Sequence, residues 1–81
     1  MDNDELIKEI RELGKQIEEL MGQIEQRGAP TNNEAKKLLQ LWVEYQARCA
    51  MLHGMNQEEA YREARKNIWW LGLFVDERVV E

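Results

Sequence analysis

The sequence predicts an all-α protein: an antiparallel helical hairpin followed by a third, C-terminal helix, packing as a homo-oligomer. Three observations carry this expectation. Leu6, Ile10, Leu13, Ile17, Leu20 and Ile24 recur at alternating spacings of four and three residues, the period of one face of a helix. Thr31 with Glu34, and Asn56 with Glu59, are capping signatures that each open a new helix. Gly28 and Gly54 follow the first two periodic stretches where a left-handed C-cap is wanted, and Pro30 prevents the first helix from continuing.

The first helix is expected over about residues 4–26. Asp2, Asp4 and Glu5 sit around its first turn, where the helix dipole favours acids. In heptad terms Ile10, Ile17 and Ile24 take a, and Leu6, Leu13 and Leu20 take d. Ile at a with Leu at d favours parallel two-stranded packing. The neighbouring e column reads Ile7, Gly14, Met21 rather than a run of charges. The apolar face is therefore wider than a zipper seam and should meet more than one helix. Gly14 and Gly22 each cost the helix about 1 kcal/mol relative to Ala. Gly14 faces the core columns, which predicts a close helix approach there.

The second helix should run over about residues 32–53. One side carries Ala35, Leu38, Leu39, Trp42, Tyr45, Cys49 and Leu52, and Leu41, Val43, Ala47, Ala50 and Met51 extend the apolar surface around most of the circumference. A helix of this kind is buried on several sides. The third helix is expected over about 57–71, with Ala60, Tyr61, Ala64, Ile68 and Leu71 as its inner stripe. Trp69 and Trp70 diverge by about 100° on a helix, so one of them should reach a second surface. The tail 73–81 is too apolar to be a solvated terminus and should dock as a short helix or a strand.

The 81 residues suit one domain, 1–81. A core in so short a chain is marginal, and disulfides, metals or oligomerisation commonly supplement it. A single Cys allows no internal disulfide, so oligomerisation is the expected supplement. The lone Cys, an acidic start and the lack of any apolar run near 18 residues point to a cytoplasmic protein without a membrane partner, in the host cytosol if the chain comes from a phage. The net charge of −5 contains no basic stripe, which disfavours DNA binding through phosphates.

Catalytic chemistry is sparse. The chain has no Ser and one Thr, which serves as a cap. Cys49 and His53 stand at i,i+4, a spacing that could activate a thiolate or begin a zinc site. The simpler reading is a buried apolar thiol and a C-terminal helix histidine. No glycine-rich phosphate loop occurs. The reading is a non-enzyme with no cofactor and no metal. Arg11, Lys15, Trp42, Tyr45 and Arg48 are the candidate residues for a small anionic ligand, because guanidinium groups grip phosphates and aromatic rings stack on bases.

Helix 1 reads Leu6-Ile7-Lys8-Glu9-Ile10-Arg11-Glu12-Leu13-Gly14-Lys15-Gln16-Ile17, then Leu20-Met21 and Ile24. Helix 2 reads Ala35-Lys36-Lys37-Leu38-Leu39-Gln40 and later Ala47-Arg48-Cys49. Over about residues 5–52 this resembles the helical-hairpin family of phage anti-CBASS and anti-Thoeris nucleotide sponges, with Arg11 at the family's Lys position and Gly14 at its small one. The resemblance implies an oligomer of hairpins that sequesters cyclic di- or trinucleotides at subunit interfaces without hydrolysing them. Arg11 and Arg48 would meet phosphates, and Tyr45 or Trp42 would stack on a base. The alternative is a protein-interaction module or inhibitor that uses Trp69, Trp70 and Phe74 as its partner-binding anchor, since interfaces concentrate binding energy in such side chains.

Overall fold

A computed structural model describes residues 3–67, and these are all-helical apart from two short connections. Helix α1 spans Asn3–Arg27, α2 spans Asn32–Leu52 and α3 spans Gln57–Asn67. The part of the expected third helix beyond residue 67, the 73–81 tail, and the anchor residues Trp69, Trp70 and Phe74 lie outside the described residues.

The two turns follow from local chemistry. At the end of α1, Gly28 takes φ +93° and donates its N–H to the Ile24 carbonyl at 2.8 Å. This left-handed position suits a residue without a Cβ. Three residues on, the α2 capping box closes in both directions. Thr31 Oγ1 accepts from the Glu34 N–H at 3.2 Å, and Glu34 Oε1 accepts from the Thr31 N–H at 3.1 Å. The Glu34 carboxylate is held below its ordinary pKa, first by that backbone hydrogen bond and also by the Arg27 guanidinium, which pairs with it across the turn. Gly54, at φ +102°, ends α2 in the same left-handed manner. Asn56 then caps α3, with Oδ1 accepting from the Glu59 N–H and Nδ2 donating to Glu59 Oε1, both at 2.9 Å.

Helix α2 is the centre of the arrangement. It packs against α1 on one side and α3 on the other, and among the described residues α1 and α3 do not pack on each other. The α1–α2 core is built on Ile17, Leu20, Ala35, Leu38 and Leu41, with Leu13, Ile24, Trp42 and Tyr45 against it. The pair is antiparallel, since Arg27 meets Glu34 beside the turn while Glu9 meets Arg48 far from it. The a and d residues Leu13, Ile17, Leu20 and Ile24 of α1 are thus used within the chain against α2. The parallel two-stranded seam that these Ile and Leu residues favour is not how α1 packs here. The e column behaves otherwise: Ile7 is 37% exposed and Met21 is 47% exposed.

At Gly14 it is a side chain, the Tyr45 ring edge, rather than the α2 backbone that comes close. A Cβ at that position would stand 3.3 Å from Tyr45 Cε2, whereas one at Gly22 would meet nothing within 4 Å. The α2–α3 contact is thinner, with Ala47, Ala60 and Ala64 as its buried residues and Val43, Ala50, Met51 and Tyr61 around them. Small side chains let two helices approach closely but bury little apolar area, so polar ties count for more at this contact.

Candidate functional site

The sequence-derived ligand residues divide into three places. Arg11 and Lys15 are exposed on α1, one turn apart and away from the side that faces α2. Trp42 and Tyr45 are half-buried on α2 and meet edge to face, with centroids 5.7 Å apart and planes at 75°. Arg48 does not join either group. It forms the hub of a polar cluster that touches all three helices.

Arg48 Nε donates to Glu9 Oε1 on α1 at 2.7 Å. Its Nη1 donates to the Glu44 carboxylate one turn back on α2, to the Glu44 backbone carbonyl at 3.2 Å, and to Tyr61 Oη on α3 at 3.3 Å. The Tyr61 hydroxyl in turn donates to Glu44 Oε1. Charge-assisted bonds of this kind are roughly twice as strong as neutral ones.

The electrostatics follow from that wiring. Partial burial opposes the charge on Arg48, but hydrogen bonds to Glu44, Glu9 and Tyr61 outweigh it and raise the guanidinium pKa. Burial likewise works against the Glu44 carboxylate, yet the Tyr61 and Arg48 hydrogen bonds hold it below its ordinary value. The Tyr61 phenol is pushed up by burial and by its bond to Glu44. Two carboxylates therefore already face the one guanidinium. The open groove beside it is lined by Glu5, Glu9 and Glu12 as well as by Lys8 and Arg48, so its charge does not favour an anion.

The polar cluster includes three residues that the sequence did not single out as a site: Glu9, Glu44 and Tyr61. Glu44 and Arg48 stand at i,i+4, a legible pairing. Glu9 and Tyr61 come from other helices, so no spacing rule marks them. Tyr61 was readable only as part of the inner stripe of α3, where it also carries the Arg65 guanidinium 5.9 Å from its ring centroid.

Burial pushes the Cys49 thiol up, away from the thiolate form a nucleophile needs. His53 is exposed at the end of α2. Among the described residues, no group of three His, Cys, Asp or Glu side chains is placed to hold a metal ion, and no helix is long and apolar enough to cross a membrane. Comparisons with protein-family models, curated proteins and solved structures found no match to this chain.

Proposed function

We propose that this chain is a non-catalytic helical protein that works by association. The observation that carries the reading is the e column of α1. Ile7 and Met21 remain exposed after α1 has packed Leu13, Ile17, Leu20 and Ile24 on α2. The two lie on one face of α1, about 21 Å apart along it, and a second helix laid along that face would cover both. The apolar anchor Trp69, Trp70 and Phe74 belongs to the same reading, as a second point of attachment for a partner. Native mass spectrometry of the protein purified from cells tests it. A multimer or a complex with a retained partner or ligand is expected. A bare 9.6 kDa monomer at micromolar concentration would overturn the reading.

A more specific reading is a phage-type anti-defence protein that sequesters cyclic oligonucleotide signals at its subunit interfaces. One observation favours it. The absence of a side chain at Gly14 admits the Tyr45 ring edge to the flank of α1, and Arg11 lies three residues before Gly14, on an adjoining part of the helix surface. Within one chain these groups lie on different faces, so a base would stack on the Trp42–Tyr45 pair of one copy while its phosphates meet Arg11 and Lys15 of a second copy. Arg48 is committed to Glu9 and Glu44 and would have to exchange those partners to contribute. Calorimetry against cyclic di- and trinucleotides tests this reading. Binding that Arg11→Ala weakens supports it, and no binding by the wild type removes it.

A further inference from the structure

We propose that two copies of this chain pair antiparallel along α1, with Gly14 near the two-fold axis and reciprocal Arg11–Glu18 contacts on either side of it. The proposal rests on the association reading above and gives it a geometry.

The argument begins with symmetry. Ile7 and Met21 are the exposed large apolar residues of α1, and each lies seven residues from Gly14. A two-fold axis perpendicular to α1 at Gly14 places Ile7 of one copy against Met21 of the other, and the symmetry repeats the contact. This is the self-complementary patch that an isologous interface needs. The half-buried Tyr45 ring edge, 3.3 Å from where a Cβ at Gly14 would stand, lies close to the axis.

Near the axis, charge distinguishes the two directions. Arg11 precedes Gly14 by three residues and Glu18 follows it by four, and both are exposed. They are seven residues apart, so they share one flank of the e column to within about 20°. At about 1.5 Å of rise per residue, the same axis brings Arg11 of one copy within about 1.5 Å, along the helix, of Glu18 of the second copy. An antiparallel pair keeps like flanks together, so the opposite charges meet. A parallel pair would instead turn the Arg11 flank toward the Ile10 flank, which carries no acid. At the outer ends the antiparallel pair brings Asp4 of one copy toward Glu25 of the second, an unfavourable contact far from the axis.

Two experiments test the arrangement. The first is a charge exchange read by sedimentation equilibrium, with circular dichroism confirming helix content. Arg11→Glu alone should weaken dimerisation by about tenfold or more, and Arg11→Glu with Glu18→Arg should recover most of the loss. The second is thiol cross-linking in a Cys49→Ala background with a short bismaleimide. The Ile7→Cys, Met21→Cys double variant should link two copies. Ile7→Cys alone should not, because its two copies would stand about 21 Å apart along the helix. Linking by Ile7→Cys alone would overturn the antiparallel pairing in favour of a parallel one. A wild-type dimer that shows neither charge recovery nor double-variant linking would place the association elsewhere, overturning this proposal and leaving the broader reading intact. A bare monomer would overturn both.

Discussion

Gly14 on α1 and Tyr45 on α2 are fitted to each other, since a Cβ at position 14 would stand 3.3 Å from Tyr45 Cε2. That distance is tighter than ordinary van der Waals contact, so a side chain at position 14 would push the ring edge back by a few tenths of an ångström. Glycine within a helix is otherwise a liability of about 1 kcal/mol relative to Ala. At Gly14 the contact with the Tyr45 ring edge offsets part of that liability.

Gly22 gives the control. It sits inside the same helix with nothing within 4 Å of its would-be Cβ. Gly22→Ala should therefore stabilise the protein by about 0.5–1 kcal/mol, through helix propensity alone. Gly14→Ala should gain distinctly less, because the Tyr45 ring must shift. Urea unfolding of both variants decides the matter. Equal gains would show that the ring moves freely and that the fit is not a constraint.

Much of this was readable beforehand. The caps at Thr31 and Asn56 and the glycine stops at 28 and 54 all appear where local chemistry placed them, because each depends only on residues within a few positions of one another. The special role of Gly14 over Gly22 was also legible, since only Gly14 lies beside the core columns. The partner of the a and d columns was not. Ile at a with Leu at d favours a parallel second strand, but the same columns also suit the chain's own antiparallel α2, and the heptad period does not say which partner covers them. Nor could Arg48 be separated from Arg11 as a ligand group. Its engagement depends on Glu9 and Tyr61, which lie 39 and 13 residues away.

The Arg48 cluster should hold the three helices together more than its surface position suggests. Arg48→Met removes the bonds to Glu9, Glu44 and Tyr61 and leaves two carboxylates facing each other. All three charged side chains are partly solvated, so the expected loss is about 1–2 kcal/mol rather than the larger figure for a fully buried pair. Tyr61→Phe removes one hydroxyl and should cost about 0.5–1.5 kcal/mol. The double variant should lose less than the sum, because both changes break the same network. Strict additivity in chemical denaturation would show that Arg48 and Tyr61 act separately.

Stability should fall in acid for a definable reason. The folded state holds the carboxyls of Glu44 and Glu34 below their usual pKa, so it binds protons more weakly than the unfolded chain. Their contribution is present at pH values above the ordinary carboxylate range and is lost as pH falls through the lowered folded values. Tyr61 has the opposite sense. Its raised pKa means that stability declines as pH rises past the ordinary phenol value toward the folded one. Urea midpoints measured from neutral pH into the acid range should decline for the wild type and decline less steeply for Glu44→Gln. An unchanged slope in that variant would dissociate Glu44 from the acid response.

The most sensitive local element should be the start of α3. The α3 contact with α2 is built on Ala47, Ala60 and Ala64, which contribute little buried area per side chain. Asn56 supplies a cap through its Oδ1, and Glu59 is fixed to it in return. Asn56→Ala should therefore cost about 1 kcal/mol, within the usual range for a lost cap, and the loss should fall mainly on α3. Thr31→Ala should cost a similar amount, but α2 is anchored on two sides and should not fray locally. Hydrogen exchange separates the two cases. For Asn56→Ala, protection should drop across α3 while the α1–α2 core remains slow. A uniform drop through all three helices would show instead that α3 unfolds only with the rest of the protein.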